Sequence, residues 1–334
     1  MIALRRGVVL AVDRPGPAAE LTVDVSGERR RALSFEPAEV GDDVVVNVAA
    51  VDLALGSGGF DIVHVNLTRG LAGSGEPGAH VMKLNYTSLQ HAVMPVEEQA
   101  PRDSVSVGGK PVAVVALHGQ LPCVAWAAAQ ARPGARVGYV QTAGGALPGA
   151  MSRVVRELLS AGLLAGHVTA APAFGGEHEA ISTAGGLHAG LTALGWDAAI
   201  AGPGPGILGS ATTLGHGGLV ALDSAHAALA LGATTVVVPR MSSGDERERH
   251  RGLSHHTRTV LELMLRPALV ALPEGETPEL PGEAHEVRVG AADVDGYRAS
   301  GLPARTMGRG IEEDELFFRA SLAGGTVLAE AVGG

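Results

Sequence analysis

The sequence predicts an α/β protein in two parts: a small β-rich domain, then a doubly wound, mostly parallel sheet of about six strands. Three observations carry this reading. The first 70 residues hold short Val-rich runs with no helical period. After Lys110, apolar runs of four to six residues alternate with segments of helix length. Long loops rich in Gly and polar residues follow one end of those runs, whereas the loops at the other end are short and plain.

The expected strands of the first part are Gly7–Val12, Leu21–Val25, Arg30–Phe35, Val44–Val48 and Ile62–Val65. Several alternate apolar with polar residues, and Pro15-Gly16-Pro17, Ser26-Gly27, Gly41-Asp42 and Gly56 to Gly59 punctuate them. A small barrel or curled sheet over residues 1–75 is the natural solution, because closure removes strand edges. Residues 76–107 read as transitional, with a strand at Val81–Tyr86 and a linker from Pro95 to Lys110.

From 108 to 334 the chain reads as a Rossmann-like α/β domain. Its expected strands are Val112–Leu117, Arg136–Val140, His167–Ala170, Asp197–Ala201, Thr234–Val238 and Ala268–Leu272. Helices are expected at Leu121–Ala131, Leu147–Ala161, Glu177–Leu194, Gly218–Leu231 and His256–Leu265. Continuous apolar strands separated by helices mean a parallel sheet covered on both faces.

Composition excludes several classes. With 46% apolar and 18% charged residues the chain is no disordered polymer, and a single Cys123 makes neither a disulfide framework nor a thiolate zinc cluster. A net charge of −10 argues against nucleic acid or an anionic membrane as partner. No run of about 18 apolar residues is present, and Arg5-Arg6 precede a strand-like run rather than a signal peptide, so a cytoplasmic location is expected. Arg outnumbers Lys 23 to 2, so a lone Arg says little about phosphate recognition here. The charge-poor stretches Gly185–Gly190 and Ala225–Leu231 must either be buried within the chain or meet another subunit; a homo-oligomer, first of all a dimer, is expected.

Ligands of open α/β sheets bind beyond the carboxyl ends of the strands, so the loops there carry the candidate site. They include Leu117-His118-Gly119-Gln120, then Gln141 to Ala146 with Gly144 and Gly145, then Pro172 to Glu179 with Gly175, Gly176 and Glu177. The fourth is Gly202 to His216, and the fifth runs from Pro239 to Thr257. Gly204, Gly206 and Gly209 match the dinucleotide fingerprint formally, but Ser210, Thr212 and Thr213 delay the helix and no ribose-binding acid follows, so nicotinamide is disfavoured. Those amides and hydroxyls suit a phosphate or other small anion instead. The fifth loop concentrates Asp245, Glu246, Arg247, Arg249, His250, Arg251, Ser254, His255 and His256. Arginines there, with Arg240, could clamp an anionic substrate while a His serves as acid or base. Alternatively its imidazoles and carboxylates, with His118, His178 and His216, could hold a divalent metal, although no strict ligand spacing supports one and no metal ligand is assigned. The bland alternative is a solvated helix start capped by Ser254.

Taken together, YVQTAGGALPGAMS, APAFGGEHEA, GPGPGILGSATTLGH, RERHRGLSHHT and TMGRGIEEDELFFRASLAGG resemble an uncharacterised bacterial domain-of-unknown-function family, as do the N-terminal GDDVVVNVAAVDLALGSGGFDIV and HVMKLNYTSLQ. The family has no assigned activity, so the resemblance supplies no catalytic residues. It implies that relatives often carry an acid where Ala143 stands, so a carboxylate at that turn is missing or relocated here. The reading is therefore an enzyme, a hydrolase or transferase, acting on a small anionic metabolite. His118, His255 and Asp245 are its acid–base candidates. The ligand-binding candidates are the loop glycines, Glu177, Ser210, Thr212, Arg240, Arg249 and His256. A non-catalytic ligand-binding or assembly module is the alternative.

Overall fold

The computed structural model describes residues 2–73, 75–210, 212–282 and 284–333, which fall into two compact units, Met1–Ala79 and His80–Gly334.

The first unit is a closed five-stranded barrel. Its strands are β1 (Leu4–Arg14), β2 (Ala19–Val25), β3 (Glu28–Ser34), β4 (Asp43–Asn47) and β5 (Asp61–Asn66), in the order β1-β2-β3-β5-β4 with β4 closing on β1. Every contact is antiparallel except β3 with β5. Burial alternates along β2 and β4, the period of a sheet with one apolar face, and Leu21, Val23, Val44, Val46 and Val48 fill the interior. Asp42 ties the barrel's loops. Its carboxylate accepts from Arg69 Nε at 2.7 Å and Asn66 Nδ2 at 2.7 Å, and the Arg69 guanidinium holds it down at a pKa of about 2.

The second unit is built on eight parallel strands: β6 (Gly109–Val115), β7 (Val137–Thr142), β8 (His167–Ala170), β9 (His178–Ala180), β10 (Ala198–Pro203), β11 (Ala233–Val238), β12 (Leu269–Pro273) and β13 (Glu286–Gly290). Their order is β9-β8-β7-β10-β6-β11-β12-β13. The sheet is thus two strands wider than the sequence predicts. The extra pair are short or edge elements: β9 has three residues, and β13 reads EVRVG with four of its five positions exposed. Neither presents an apolar run. His178–Ala180 lies within a segment expected to be helical, but backbone pairing with β8 takes it into the sheet, and the helix starts only after Ser182.

Alternate side chains of each strand serve opposite helix layers. Ala113, Val115, Tyr139 and Ile200 meet α1 (Leu121–Ala131), α2 (Arg153–Ser160) and the long C-terminal helix Glu315–Glu330. Val112, Val114, Val168 and Ala201 meet α3 (Thr183–Thr192), α4 (Val220–Ala230) and α5 (His255–Leu263). The helix expected from Leu147 begins instead at Arg153, where Ser152 Oγ accepts from Val155 N at 3.0 Å, because Pro148 and Gly149 hold the preceding residues in a tighter turn. The charge-poor stretches of α3 and α4 lie against the sheet and each other, so they are largely covered within this unit. No helix among the described residues is long and apolar enough to cross a membrane.

Candidate functional site

Chain progression decides where the site lies. From β6 the chain moves outward through β7, β8 and β9, returns to insert β10 beside β6, then crosses to β11 on the other side. Strands β10 and β11 therefore flank β6, and the loops leaving their carboxyl ends meet above it. This is the topological switch point at which such sheets bind ligands.

The loop after β10 is held against the loop after β7 by backbone contact. Ala146 N donates to Pro205 O at 2.7 Å and Leu208 N to Gly144 O at 3.2 Å. A Cβ on Gly145 would fall 2.1 Å from Gly204 O, and one on Gly217 would fall 2.0 Å from Gly144 O, so only bare backbone lets these loops interlock. The glycines expected to face a ligand here, Gly144, Gly145 and Gly204, are thus engaged with one another. Gly206 takes a positive φ of 73°, and Gly209 bridges to His216. Ser210 and Thr212 close the loop on itself: their hydroxyls lie 2.8 Å apart, Ser210 Oγ donates to Gly215 O at 2.8 Å, and Gly215 N donates to Thr212 Oγ1 at 3.1 Å. The hairpin so formed delivers His216 inward.

The loop after β11 folds back through a two-residue ribbon, Met241–Ser242 with Gly252–Leu253, and its return delivers His250, His255 and His256. Ser254 caps α5, accepting from His256 N at 3.3 Å, and its hydroxyl shares a hydrogen bond of 2.8 Å with His250 Nδ1. Four imidazoles gather as a result. Ring centroids lie 3.8 Å apart for His216 and His256, which stack at 9°, and 4.4 Å for His255 and His256. The remaining measured pairs are 5.4 Å for His216 with His255, and 4.8 and 4.9 Å from His250 to His255 and His256. One nitrogen from each of His216, His255 and His256 falls within 4.8 Å of the other two. Both nitrogens of His216 and Nε2 of His255 are buried without a hydrogen bond, although the backbone of Thr213 lies close enough to His216 to raise its pKa against the burial that lowers it.

Burial and cationic neighbours keep these rings neutral. Desolvation lowers His216 and His255, and lowers His250 to about 3 and His256 to about 2, with Arg240 adding to each. Arg240 is itself buried, which brings it down to about 10, so it stays charged at neutral pH. Its Nη1 donates to His256 Nδ1 at 3.1 Å and its Nη2 to Asp245 Oδ2 at 3.2 Å. Asp245 also accepts from Arg247 Nε at 2.9 Å and Arg309 Nη2 at 3.2 Å. With its oxygens engaged by guanidiniums and its pKa far below the carboxylate range, Asp245 orients arginines rather than exchanging protons. Asp314 completes the knot, accepting from Ser242 Oγ, Ser243 N, Gly244 N and Arg309 Nε at 2.7, 2.9, 3.2 and 3.0 Å. Arg240, Arg247 and Arg309 share two carboxylates, which leaves a residual positive charge. A cleft of about 610 Å³ opens beside it, lined by Asp245, Glu246, Arg247, Met307, Arg309 and Glu313, so two further carboxylates face it beside the arginines. Arg249 is exposed, makes no ion pair among the described residues, and lies near enough to His255 for its charge to lower that ring's pKa.

The other candidates lie in a different network. His118 Nδ1 donates to Pro203 O at 3.1 Å and its Nε2 accepts from Ser152 Oγ at 2.7 Å, an assignment fixed because a carbonyl can only accept. Tyr139 Oη donates to the same Pro203 carbonyl at 2.9 Å, and His167 stacks on Tyr139 and bonds Gln141 Oε1 at 3.1 Å. His118 and His167 are both buried, which lowers each to about 4. This polar chain supports the bases of the loops. Gly175 and Gly176 pack the third loop on Gly149 and Thr169, and Glu177 accepts from His167 N at 2.9 Å.

Arg309 and Asp314 were beyond sequence reasoning, because they reach the knot from more than 60 residues downstream. A family model described as Protein of unknown function (DUF3866) matches residues 32–325. The chain belongs to that family. The match takes in the glycine loops, all four clustered histidines and the Arg–Asp knot of this DUF3866 protein. No curated protein and no solved structure matches the chain.

Proposed function

We propose that this DUF3866 protein is an enzyme, a hydrolase or transferase, that acts on a small anionic or phosphorylated metabolite at the switch point of its sheet. The observation that carries the reading is the meeting of neutral imidazoles with the buried Arg240 of an arginine–carboxylate knot, whose outer members Arg247 and Arg309 line a cleft. Arg240 and the unpaired, exposed Arg249 neutralise the substrate, where a charge-assisted bond is worth about 1.5–3 kcal/mol. His255, with a free Nε2, is the proton acceptor, since a lowered pKa leaves its lone pair available at neutral pH. In this reading Asp245 and His118 hold the site in place and do not touch substrate.

The test is a thermal-shift panel of phosphate, nucleotides, sugar phosphates and acyl phosphates, followed by turnover of any compound that stabilises the fold. At least one anion raises the midpoint, and Arg249→Ala weakens it roughly 10-fold while leaving the unliganded midpoint unchanged. A panel in which no anion stabilises the protein at millimolar concentration refutes the proposal. Binding without turnover favours the ligand-binding alternative. A cytoplasmic dimer completes the proposal; a 33.7 kDa particle in light scattering would end the dimer.

A further inference from the structure

We infer that His216, His255 and His256 form a divalent-metal site of zinc type, and that the metal and an oxyanion bind there cooperatively. The oxyanion half rests on the function proposed above; the metal half does not, and a metal on His255 takes the lone pair that reading gives to proton transfer, so cobalt binding decides between the two roles of His255.

Geometry and unmet bonding carry the metal. Three imidazoles from two loops bring one nitrogen each within 4.8 Å of the others, where tetrahedral coordination at about 2.0–2.1 Å needs nitrogens about 3.4 Å apart. To bind one ion, His216 and His256, now stacked at 9°, must rotate out of their parallel planes so that their lone pairs converge. Three buried ring nitrogens make no hydrogen bond, on His216 (both) and His255. A buried polar atom left unpaired costs about 1–3 kcal/mol, and an absent ion is one of the few things that account for a group of them. Three nitrogen ligands with no carboxylate among them suit zinc, cobalt or another borderline metal and not magnesium or calcium, which prefer oxygen. Three protein ligands also leave a fourth position open, as in catalytic rather than structural zinc sites.

The surroundings make the fourth ligand an anion. Arg240, Arg249 and the positive end of α5 all oppose a cation at this point. A neutral water does nothing to offset them, whereas a hydroxide or an oxyanion oxygen does. Arg240 supplies a second link. It now donates to His256 Nδ1. Metal on Nδ1 displaces that contact, and metal on Nε2 requires the neutral ring to carry its proton on Nδ1, which then cannot accept. Either way the buried guanidinium loses its imidazole acceptor and is left to bond an incoming oxyanion. The metal therefore strengthens the anion site and, by linkage, the anion strengthens the metal site equally.

The experiment uses the full chain, purified without a histidine tag and stripped with chelator. Cobalt(II) is titrated in while its visible d–d absorption is followed, with and without sulfate, a soluble tetrahedral oxyanion; zinc content of the untreated protein is measured in parallel. The expected result is one equivalent of metal per chain, an absorption typical of tetrahedral cobalt, and a cobalt affinity raised at least 5-fold by saturating sulfate. His255→Ala and His216→Ala each weaken cobalt at least 100-fold, while His226→Ala, a histidine on α4, leaves it unchanged. If either ligand variant loses its fold, His255→Gln gives the same reading without a deletion. Absence of stoichiometric cobalt in the wild-type protein overturns the metal site, even where sulfate alone raises the midpoint and so supports the anion proposal. Cobalt that binds tightly but ignores sulfate overturns the cooperative half and counts against the anion proposal, leaving the metal site standing.

Discussion

Replacing Asp314 by Ala tests whether the loop after β11 is held from the C-terminal helix. The carboxylate is fully buried and accepts four hydrogen bonds, from Ser242 Oγ, Ser243 N, Gly244 N and Arg309 Nε. At about 1.5–3 kcal/mol for each bond to a charged acceptor, the gross loss is about 6–12 kcal/mol. Much of it is recovered. Ser243 is exposed and Gly244 half-exposed, so their amides turn to water, and Arg309 keeps Asp245. The net cost is about 3–4 kcal/mol, in the range for breaking a buried charged pair. Asp314→Asn retains an oxygen for the two amides but places an NH₂ before Arg309 or Ser242, and costs about half as much. Urea unfolding followed by tryptophan fluorescence reads this directly, since Trp126 and Trp196 both belong to the α/β unit. Hydrogen exchange over 242–252 rises in both variants, more so in the Ala form. An Ala variant within 1 kcal/mol of the parent, or an Asn variant as costly as Ala, would refute the reasoning.

Three further outcomes are expected. Gly138→Ala places a Cβ 2.1 Å from the buried Trp196 indole and destabilises by at least ~2 kcal/mol; an unchanged midpoint in thermal unfolding would show that the ring has room to move. His118 and His167 have folded pKa values of about 4, below the unfolded value near 6.5, so their contribution is complete above that value and is lost as pH falls toward 4. Each costs about 2.5 kcal/mol by pH 4.5, and His167→Gln flattens the stability–pH curve by that amount. In the barrel, Asp42 titrates at about 2, below an ordinary value of about 4, so its stabilisation holds above the latter and fades toward the former; Asp42→Asn removes that acid sensitivity from the hydrogen exchange of residues 43–47 and 61–66.

What the sequence determined by itself was the alternation of buried and exposed positions and the one-sided placement of the polar loops. Both are local properties. A Val-rich run such as Thr234 to Val238 is apolar because its strand is covered on both faces, and a helix like Leu121–Ala131 announces its stripe in its own residues. The barrel strands and six of the eight parallel strands were legible for that reason. The exceptions, His178–Ala180 and Glu286–Gly290, owe their conformation to a neighbour's backbone and not to their own side chains. The site shows the same division. The sequence marked the loops after β10 and β11 as unusual, and it named His255, His256 and Arg240. Which residues share a point in space was settled only by strand order. Inserting β10 beside β6 brings His216 onto His256 across 40 residues of chain, and docking the C-terminal helix brings Asp314 under Ser242 across 72. The loop glycines changed meaning for the same reason: bareness that reads as room for a ligand in one dimension is, in three, room for another loop's carbonyl.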